Sequence, residues 1–285
     1  MIRQQKSVHK DHSSQALEAS SVAEVSNPEL VNVKRKMVNG LVPWNPWVAI
    51  VYAAVIFFAA QIIAVTVIKI YGYVEGWSNV RVAYWFTDST FAQFWYVLMA
   101  EAITFGAIWW FVKRRKSNLA SLGLKRFKSF DIISALAGFA VYFIGYAIIL
   151  AIVTHLIPAL NVSQSQDIGF QDTKTDLELL AAFVSLVILP PIVEETLFRG
   201  FIFGGLKNKL PVVWSAIITS ALFASAHLQF GSGQPLLWVA AIDTFTLSLV
   251  LCYLRQKTGR LWAGILLHSL KNLIAFTVLF LLHVR

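Results

Sequence analysis

Seven long apolar segments, separated by shorter polar or basic connections, account for most of the chain. They cover residues 44–70, 91–112, 130–157, 177–205, 211–228, 235–254 and 261–282. A helix of about 20 apolar residues is long enough to cross the ~30 Å hydrocarbon core of a bilayer. The pattern therefore predicts an all-α fold, a polytopic transmembrane helix bundle of about seven spans.

The polar connections predict how the chain is organised around these spans. Lysine and arginine cluster in alternate connections, at 34–36, 113–116, 207–209 and 255–260. Because cytoplasmic loops carry an excess of basic residues, we expect the N-terminus to be cytoplasmic. The chain divides into a disordered basic cytoplasmic tail (1–40), an N-terminal transmembrane region of three spans (41–176) and a second transmembrane region of four spans (177–285).

The connections on the other side carry fewer basic residues. Residues 71–90 and 158–176 are therefore predicted to be external loops. Trp44 and Trp47 stand at the start of the first span, where tryptophan often anchors a helix at the membrane interface. We expect both to have that role.

Composition excludes a soluble globular enzyme. Hydrophobic residues make up 57% of the 285 residues and charged residues only 14%, whereas soluble domains carry about 25% charged residues. The net charge of +9 could indicate a nucleic-acid partner, but the basic residues lie beside apolar segments, as in cytoplasmic loops. We expect a multi-pass protein of the cell membrane with no nucleic-acid partner. The single cysteine, Cys252, excludes an intrachain disulfide.

The fourth segment places two adjacent carboxylates and an arginine, Glu194, Glu195 and Arg199, among apolar residues. A charge in hydrocarbon costs about 2.5–3.5 kcal/mol by insertion scales, so each of these groups needs a partner or a function. Glu195 and Arg199 are four residues apart with the acid first, the favourable orientation for a helical pair. Glu194 lies about 100° further round the helix and has no such local partner. It is the strongest candidate for a functional residue.

Two prolines precede this motif by one turn. Pro190 and Pro191 lack the N–H donor of other residues, so carbonyls near Leu186 and Val187 are predicted to be free of helical hydrogen bonds. A kink here either opens the backbone toward a cavity or serves packing alone. Both interpretations stay open.

Histidines recur at helical spacing in later segments: His227 lies four residues after Phe223, and His268 four residues before Asn272. Ionisable groups within spans are candidates for a functional site. Counted from the predicted cytoplasmic ends at about 1.5 Å per residue, Glu194 lies about 16 Å deep, His268 about 12 Å and His227 about 25 Å. A common site therefore requires tilt or a kink that brings His227 closer.

Glu101 is the one acid in the second segment. Either it is a carboxyl group hydrogen-bonded inside the bundle, or it belongs to a proton path.

Three motifs, each in its own apolar segment, resemble those of a known family. Glu-Glu-x-x-x-Arg (194–199), Phe-x-x-x-His (223–227) and His-x-x-x-Asn (268–272) are similar to the pattern of the CPBP family, the CAAX prenyl endopeptidases and the bacteriocin-processing or self-immunity membrane proteases. The resemblance covers about residues 177–282 and implies that 177–285 is a catalytic transmembrane domain. It implies catalytic positions at Glu194, His227, His268 and Asn272, with Glu195 and Arg199 in support.

The residue types are compatible with peptide hydrolysis. No serine or cysteine is placed beside a histidine as a nucleophile in these motifs, which disfavours a covalent intermediate. We expect Glu194, with His227, to activate a water molecule, because a carboxylate held where water is scarce is a better base near neutral pH. His268 and the Asn272 amide are expected to stabilise the tetrahedral oxyanion.

The sequence does not decide whether the site uses a metal cofactor. The family is usually described as metalloproteases, and Glu194, His227 and His268 are plausible zinc ligands. The usual His-Glu-x-x-His helix is missing, however, and a metal-free mechanism with glutamate-activated water is the other interpretation. The expected function is an intramembrane endopeptidase whose partners are the lipid bilayer and a membrane-associated peptide or protein substrate. A proton-coupled membrane transporter and a non-catalytic membrane scaffold are the alternatives.

Overall fold

The structure, a computed structural model, describes residues 41–164, 166, 168–229 and 235–282. The predicted tail, residues 1–40, lies outside the described residues. All regular elements within them are helices, which confirms the all-α prediction. In chain order they are α1 (Pro46–Val74), α2 (Asn79–Asp88), α3 (Thr90–Arg114), α4 (Leu119–Leu122), α5 (Phe130–Leu156), α6 (Asp176–Leu206), α7 (Val212–Ala226), α8 (Trp238–Thr258) and α9 (Trp262–Leu281).

Six of the described helices, α1, α3, α5, α6, α8 and α9, are long and apolar enough to cross a membrane. Helix α7 is apolar but has only 15 residues, and it occupies the position of the fifth predicted span. The chain is a multi-pass membrane protein, and the prediction of about seven spans agrees with the structure. The cytoplasmic location of the N-terminus stays a prediction.

Helix α1 shows how one face of a span packs against protein while the opposite face is exposed to lipid. Small residues on one face, among them Ala49, Ala53, Ala60 and Ala64, are buried where the helix packs along α3. The opposite face exposes large apolar side chains, for example Phe58 at 64%. Small side chains let two helices approach closely, whereas a large apolar surface is stable against lipid tails.

Two expectations for the first region are wrong. The predicted loop 71–90 contains α2, which begins after Ser78, whose hydroxyl accepts a hydrogen bond from the backbone N–H of Arg81. Trp44 is only 4% exposed, so its ring packs within the protein and is not free to anchor the helix in lipid. Its indole Nε1 donates to the buried carbonyl of Phe201 at 3.1 Å, which gives the polar end of the ring a partner within the protein. Trp47 is 54% exposed, as its predicted role requires.

A buried ion pair joins the first three spans to the last one. Nη2 of Arg260, just before α9, lies 2.9 Å from Oδ1 of Asp131 at the start of α5, and the Asp131 side chain is fully buried. The short link α4 also packs on the later helices, because a Cβ atom on Gly200 would stand 3.0 Å from the carbonyl oxygen of Leu122. These contacts hold α6 and α9, which carry the motifs, against the first region.

Candidate active site

Helix α6 carries the acidic motif and is not a uniform α-helix. Two π-helical stretches, Val184–Ile188 and Thr196–Ile202, flank an α-helical stretch, Leu189–Glu195. In the first, the N–H of Leu189 bonds the carbonyl of Val184, five residues back instead of four. Such π-helical turns occur frequently at functional sites.

Asn272 completes the hydrogen bonding that Pro190 interrupts. In a regular α-helix the N–H of residue 190 would bond the carbonyl of Leu186, but proline has no N–H. The side chain of Asn272, on α9, donates through Nδ2 to that carbonyl at 2.9 Å. The carbonyl that the sequence predicts to be free is therefore satisfied by a neighbouring helix, and one of the two N–H groups of the Asn272 amide serves this bond.

Glu195 is the centre of a buried polar cluster. Its Oε1 accepts a hydrogen bond from Nη1 of Arg199 at 2.9 Å, and both residues are fully buried. Nδ1 of His268 lies 3.3 Å from the same oxygen. The predicted helical pair is present within α6, and the contact between His268 and Glu195 joins α6 to α9.

The ring of Phe223 connects this cluster to α7. The guanidinium carbon of Arg199 lies 4.3 Å from the ring centroid, a cation–π contact. The ring of His268 meets it edge-on at 5.8 Å between centroids, and the ring of His227 lies at 4.7 Å. The aromatic residue of the Phe-x-x-x-His motif therefore packs between both histidines and the arginine.

Glu194 and His227 line the same cavity, which has a volume of about 210 Å³. Counting residues placed these two side chains at different depths, but the fold brings them together because His227 directly follows the short helix α7. Nδ1 of His227 lies 2.8 Å from the carbonyl of Phe223. A carbonyl only accepts hydrogen bonds, so the proton is assigned to Nδ1, and the neutral ring offers Nε2 as an acceptor.

His268 lies between the two glutamates. Its Nδ1 faces Glu195, and its Nε2 lies 3.9 Å from Oε2 of Glu194. Five of the six predicted site residues form one connected cluster: Glu194, Glu195, Arg199, His227 and His268. The sixth, Asn272, binds the α6 backbone.

The side chains in this cluster do not form a ready metal site. In the described part of the chain, no three His, Cys, Asp or Glu side chains come together in a way that could hold a metal ion. One oxygen of Glu195 is occupied by Arg199 and His268, and Nδ1 of His227 is occupied by a backbone carbonyl. Zinc ligation by Glu194, His227 and His268 stays a prediction, and no step below depends on it.

A second charge pair, partly exposed, lies beside the site and was not among the predicted residues. Nζ of Lys271 lies 2.7 Å from Oδ2 of Asp243, and the hydroxyl of Tyr142 donates to Oδ1 of the same aspartate. A signal was present in the sequence, because each charge stands in an apolar segment and needs a partner. The sequence does not show which of these groups pair with one another, because the partners come from three different helices, α5, α8 and α9.

Comparisons with known proteins found a matching family model and similar proteins. Residues 176–274 match the model of the family described as Type II CAAX prenyl endopeptidase Rce1-like. An uncharacterized 24.3 kDa protein of Escherichia coli is 34% identical over 93 residues, 32% of this chain and 41% of that protein. The UPF0177 protein YxdF of Lactococcus lactis is 30% identical over 120 residues, 42% of this chain and 62% of that protein.

A third relative is named a putative membrane peptidase, YdiL of Bacillus subtilis, and is 29% identical over 106 residues, 36% of this chain and 40% of that protein. The matches thus span 40% to 62% of the length of these relatives. No solved structure matches the chain at a significant level.

The matched region contains all three motifs that carry the resemblance predicted from the sequence. Their side chains belong to α6, α9 and the end of α7, and five of the six form one cluster in which Glu195, Arg199 and His268 are buried. Residues 176–274 of this multi-pass membrane chain are therefore similar, in sequence and in motif pattern, to the type II CAAX prenyl endopeptidase Rce1-like family.

Proposed function

We propose that this chain is an intramembrane endopeptidase that hydrolyses a peptide bond of a membrane-associated peptide or protein. The observation that carries the proposal is the shared cavity of Glu194 and His227, which come from separate helices. A carboxylate and a neutral imidazole facing one enclosed space are the groups that general-base activation of water requires.

In this proposal Glu194 accepts a proton from water, and Nε2 of His227 helps to orient that water. His268 is held by the hydrogen bond between its Nδ1 and Glu195, which leaves Nε2 on the side of Glu194. In its imidazolium form, which the adjacent Glu195 carboxylate supports, the ring also carries a proton on Nε2, and this N–H stabilises the oxyanion of the tetrahedral intermediate. Asn272 contributes to the oxyanion through the amide N–H that does not bond Leu186.

The Glu195–Arg199 pair acts on the geometry of the site and not on the substrate. Both residues are fully buried, so neither reaches a substrate in the cavity. Their role is to orient His268. A charged acceptor 3.3 Å from Nδ1 keeps a proton on that nitrogen and fixes the direction of the ring.

The substrate proposed is a peptide or protein at the membrane, in a bacterial setting one involved in peptide processing or self-immunity. This part of the proposal draws on the family of residues 176–274 and on the name of the Bacillus subtilis relative, a putative membrane peptidase. Zinc remains a candidate cofactor to be tested with a chelator.

The test is cleavage of a peptide library by the purified full chain in lipid nanodiscs, read by mass spectrometry, with and without EDTA. We expect cleavage by the unaltered protein and a loss of at least about 100-fold in kcat/KM for Glu194→Gln, the scale of a general base. Glu75→Gln, an exposed residue after α1, is the matched control and should keep full activity.

Full activity in the Glu194→Gln variant overturns the proposed mechanism. If no peptide is cleaved by any variant while vesicles containing the protein take up a proton-coupled solute, the chain is a transporter. If neither activity is present and Glu194→Gln leaves the cellular role intact, the polar cluster serves a scaffold.

A further inference from the structure

Glu101 of α3 lines the same cavity as Glu194 and His227. It lies outside residues 176–274, the part of the chain that matches the family. Both transmembrane regions line the cavity: Gln61 of α1 and Thr104 of α3 lie in the first region with Glu101, and Glu194 and His227 lie in the second. A substrate bond in this space would therefore lie near two carboxyl groups, one from each region.

The carboxyl group of Glu101 makes no hydrogen bond or ion pair with any other described residue. A carboxyl group within an apolar helix is costly, and natural sequences keep one there when it pairs or functions. The sequence left two interpretations, a carboxyl hydrogen-bonded inside the bundle or part of a proton path. Since it has no partner among the described residues and faces the cavity, the first interpretation has no support.

Two carboxyl groups in one poorly solvated cavity share a proton, because two like charges at close range are costly to ionise together. Hydrolysis by such a pair needs one carboxylate as the base and one carboxylic acid as the proton donor.

We propose that Glu101 is a second catalytic acid, which donates a proton to the leaving amine while Glu194 accepts one from the attacking water. The inference rests on the proposed peptidase function and deepens it. Amide hydrolysis needs both transfers, because an amine leaves as a neutral molecule only after its nitrogen is protonated. A carboxylic acid that lines the same cavity as the base, but comes from a different helix, is available to protonate the leaving nitrogen.

The proton balance closes over one turnover. Water attacks the carbonyl carbon and gives one proton to the Glu194 carboxylate, which forms a tetrahedral oxyanion that carries a hydroxyl group. The C–N bond breaks as the Glu101 acid gives its proton to nitrogen, so that a carboxylic acid and a neutral amine leave. Transfer of the proton from Glu194 to Glu101 through cavity water then restores the starting state, and the net reaction consumes one water.

The test compares two substrates that share the acyl segment of the peptide found in the library: the amide itself and its p-nitrophenyl ester. A nitrophenolate leaves without protonation, so ester hydrolysis needs the base and not the acid. For Glu101→Gln in nanodiscs we expect kcat on the amide to fall by about 100-fold or more, with kcat on the ester equal to that of the Glu75→Gln control. Glu194→Gln should lose both activities.

Unfolding of each variant is followed with a maleimide dye that reacts with Cys252, the single cysteine, when its buried site opens. Three results overturn the inference: a Glu101→Gln variant that hydrolyses the amide normally, one that loses ester and amide activity equally, and one that fails only on peptides with a basic residue near the cleavage site. The last result would make Glu101 a specificity residue. Retention of both activities in Glu194→Gln would instead refute the proposed function.

Discussion

Glu195 is a fully buried carboxylate, and its neighbours explain how it is held. Arg199 and His268 bond one of its oxygens, at 2.9 and 3.3 Å. The other oxygen lies against Gly264 of α9, where a Cβ atom would stand 2.9 Å away. Since real Cβ atoms do not approach so closely, a glycine at this position is what allows α9 to carry His268 up to the glutamate. At the residue scale the site depends on the charge pairing of Glu195 and on the absence of a side chain at Gly264.

Gly264→Ala tests this dependence. The added methyl group cannot be accommodated by a simple swing of Glu195, because Arg199 and His268 hold the carboxylate. We expect a loss of about 1–3 kcal/mol of stability, the usual cost of overpacking a core, and a fall in peptidase activity. The measurement is the unfolding temperature by Cys252 labelling together with the cleavage rate.

Gly106→Ala is the matched control, since nothing lies within 4 Å of a Cβ atom at that helical position. There we expect unchanged or slightly higher stability, because alanine is favoured over glycine in a helix by about 1 kcal/mol. Equal behaviour of the two variants would contradict the close approach at Gly264.

Helix α6 is irregular where its function is proposed, and the irregularity has a local cause. Two consecutive prolines remove helical donors, a π-helical turn precedes them, and Asn272 of α9 supplies a hydrogen bond to Leu186. The sequence predicted the free carbonyl because proline chemistry is a property of one residue. It did not predict the donor, because Leu186 and Asn272 are 86 positions apart.

Because Asn272 replaces the hydrogen bond that Pro190 cannot make, we expect a substitution of Pro190 to compensate for the loss of Asn272. Asn272→Ala leaves the Leu186 carbonyl without its donor, so we expect a loss of about 1–3 kcal/mol. Adding Pro190→Ala restores a backbone N–H that can bond this carbonyl, and should recover most of the stability. The measurement is a double-mutant cycle of unfolding free energies.

Activity separates the two roles proposed for Asn272. If its second amide N–H stabilises the oxyanion, the double variant will be stable but will cleave slowly. Strictly additive losses of stability in the cycle would show that the Leu186 hydrogen bond is not what Asn272 contributes.

At the scale of the whole molecule, the two transmembrane regions form one site. The family match is confined to 176–274, yet Gln61, Glu101 and Thr104 of the first spans line the cavity. The buried pair Asp131–Arg260 connects α5 to the start of α9. The first region therefore supplies one wall of the cavity and also helps to hold α9 in position.

Arg260→Met tests the connection between the regions. Removal of the cation leaves the fully buried carboxylate of Asp131 unpaired, and we expect a loss of about 3–5 kcal/mol of stability, with slower cleavage because α9 carries His268. Asp131→Asn in the same chain should restore part of the stability. Lys257→Met, at an exposed position on α8, is the control and should change little. A loss no larger than that of the control would show that the pair does not connect the regions.

The amino-acid sequence by itself determined the all-helical, membrane-spanning architecture and the acidic motif, because the cost of a polar group in hydrocarbon and the spacing along a helix are local properties. Hence the apolar segments and the Glu195–Arg199 pair could be inferred residue by residue, and Glu194 could be named as a candidate. The family resemblance likewise depended on spacing within single segments.

Only the tertiary structure decided which of these groups meet. The shared cavity of Glu101, Glu194 and His227, the bond from Asn272 to Leu186 and the burial of Trp44 against Phe201 all join residues from different helices. The physical reason is that lipid-facing and protein-facing apolar surfaces look alike in sequence. Small residues, prolines and buried charges show which surface faces protein only when the neighbouring helices are in place.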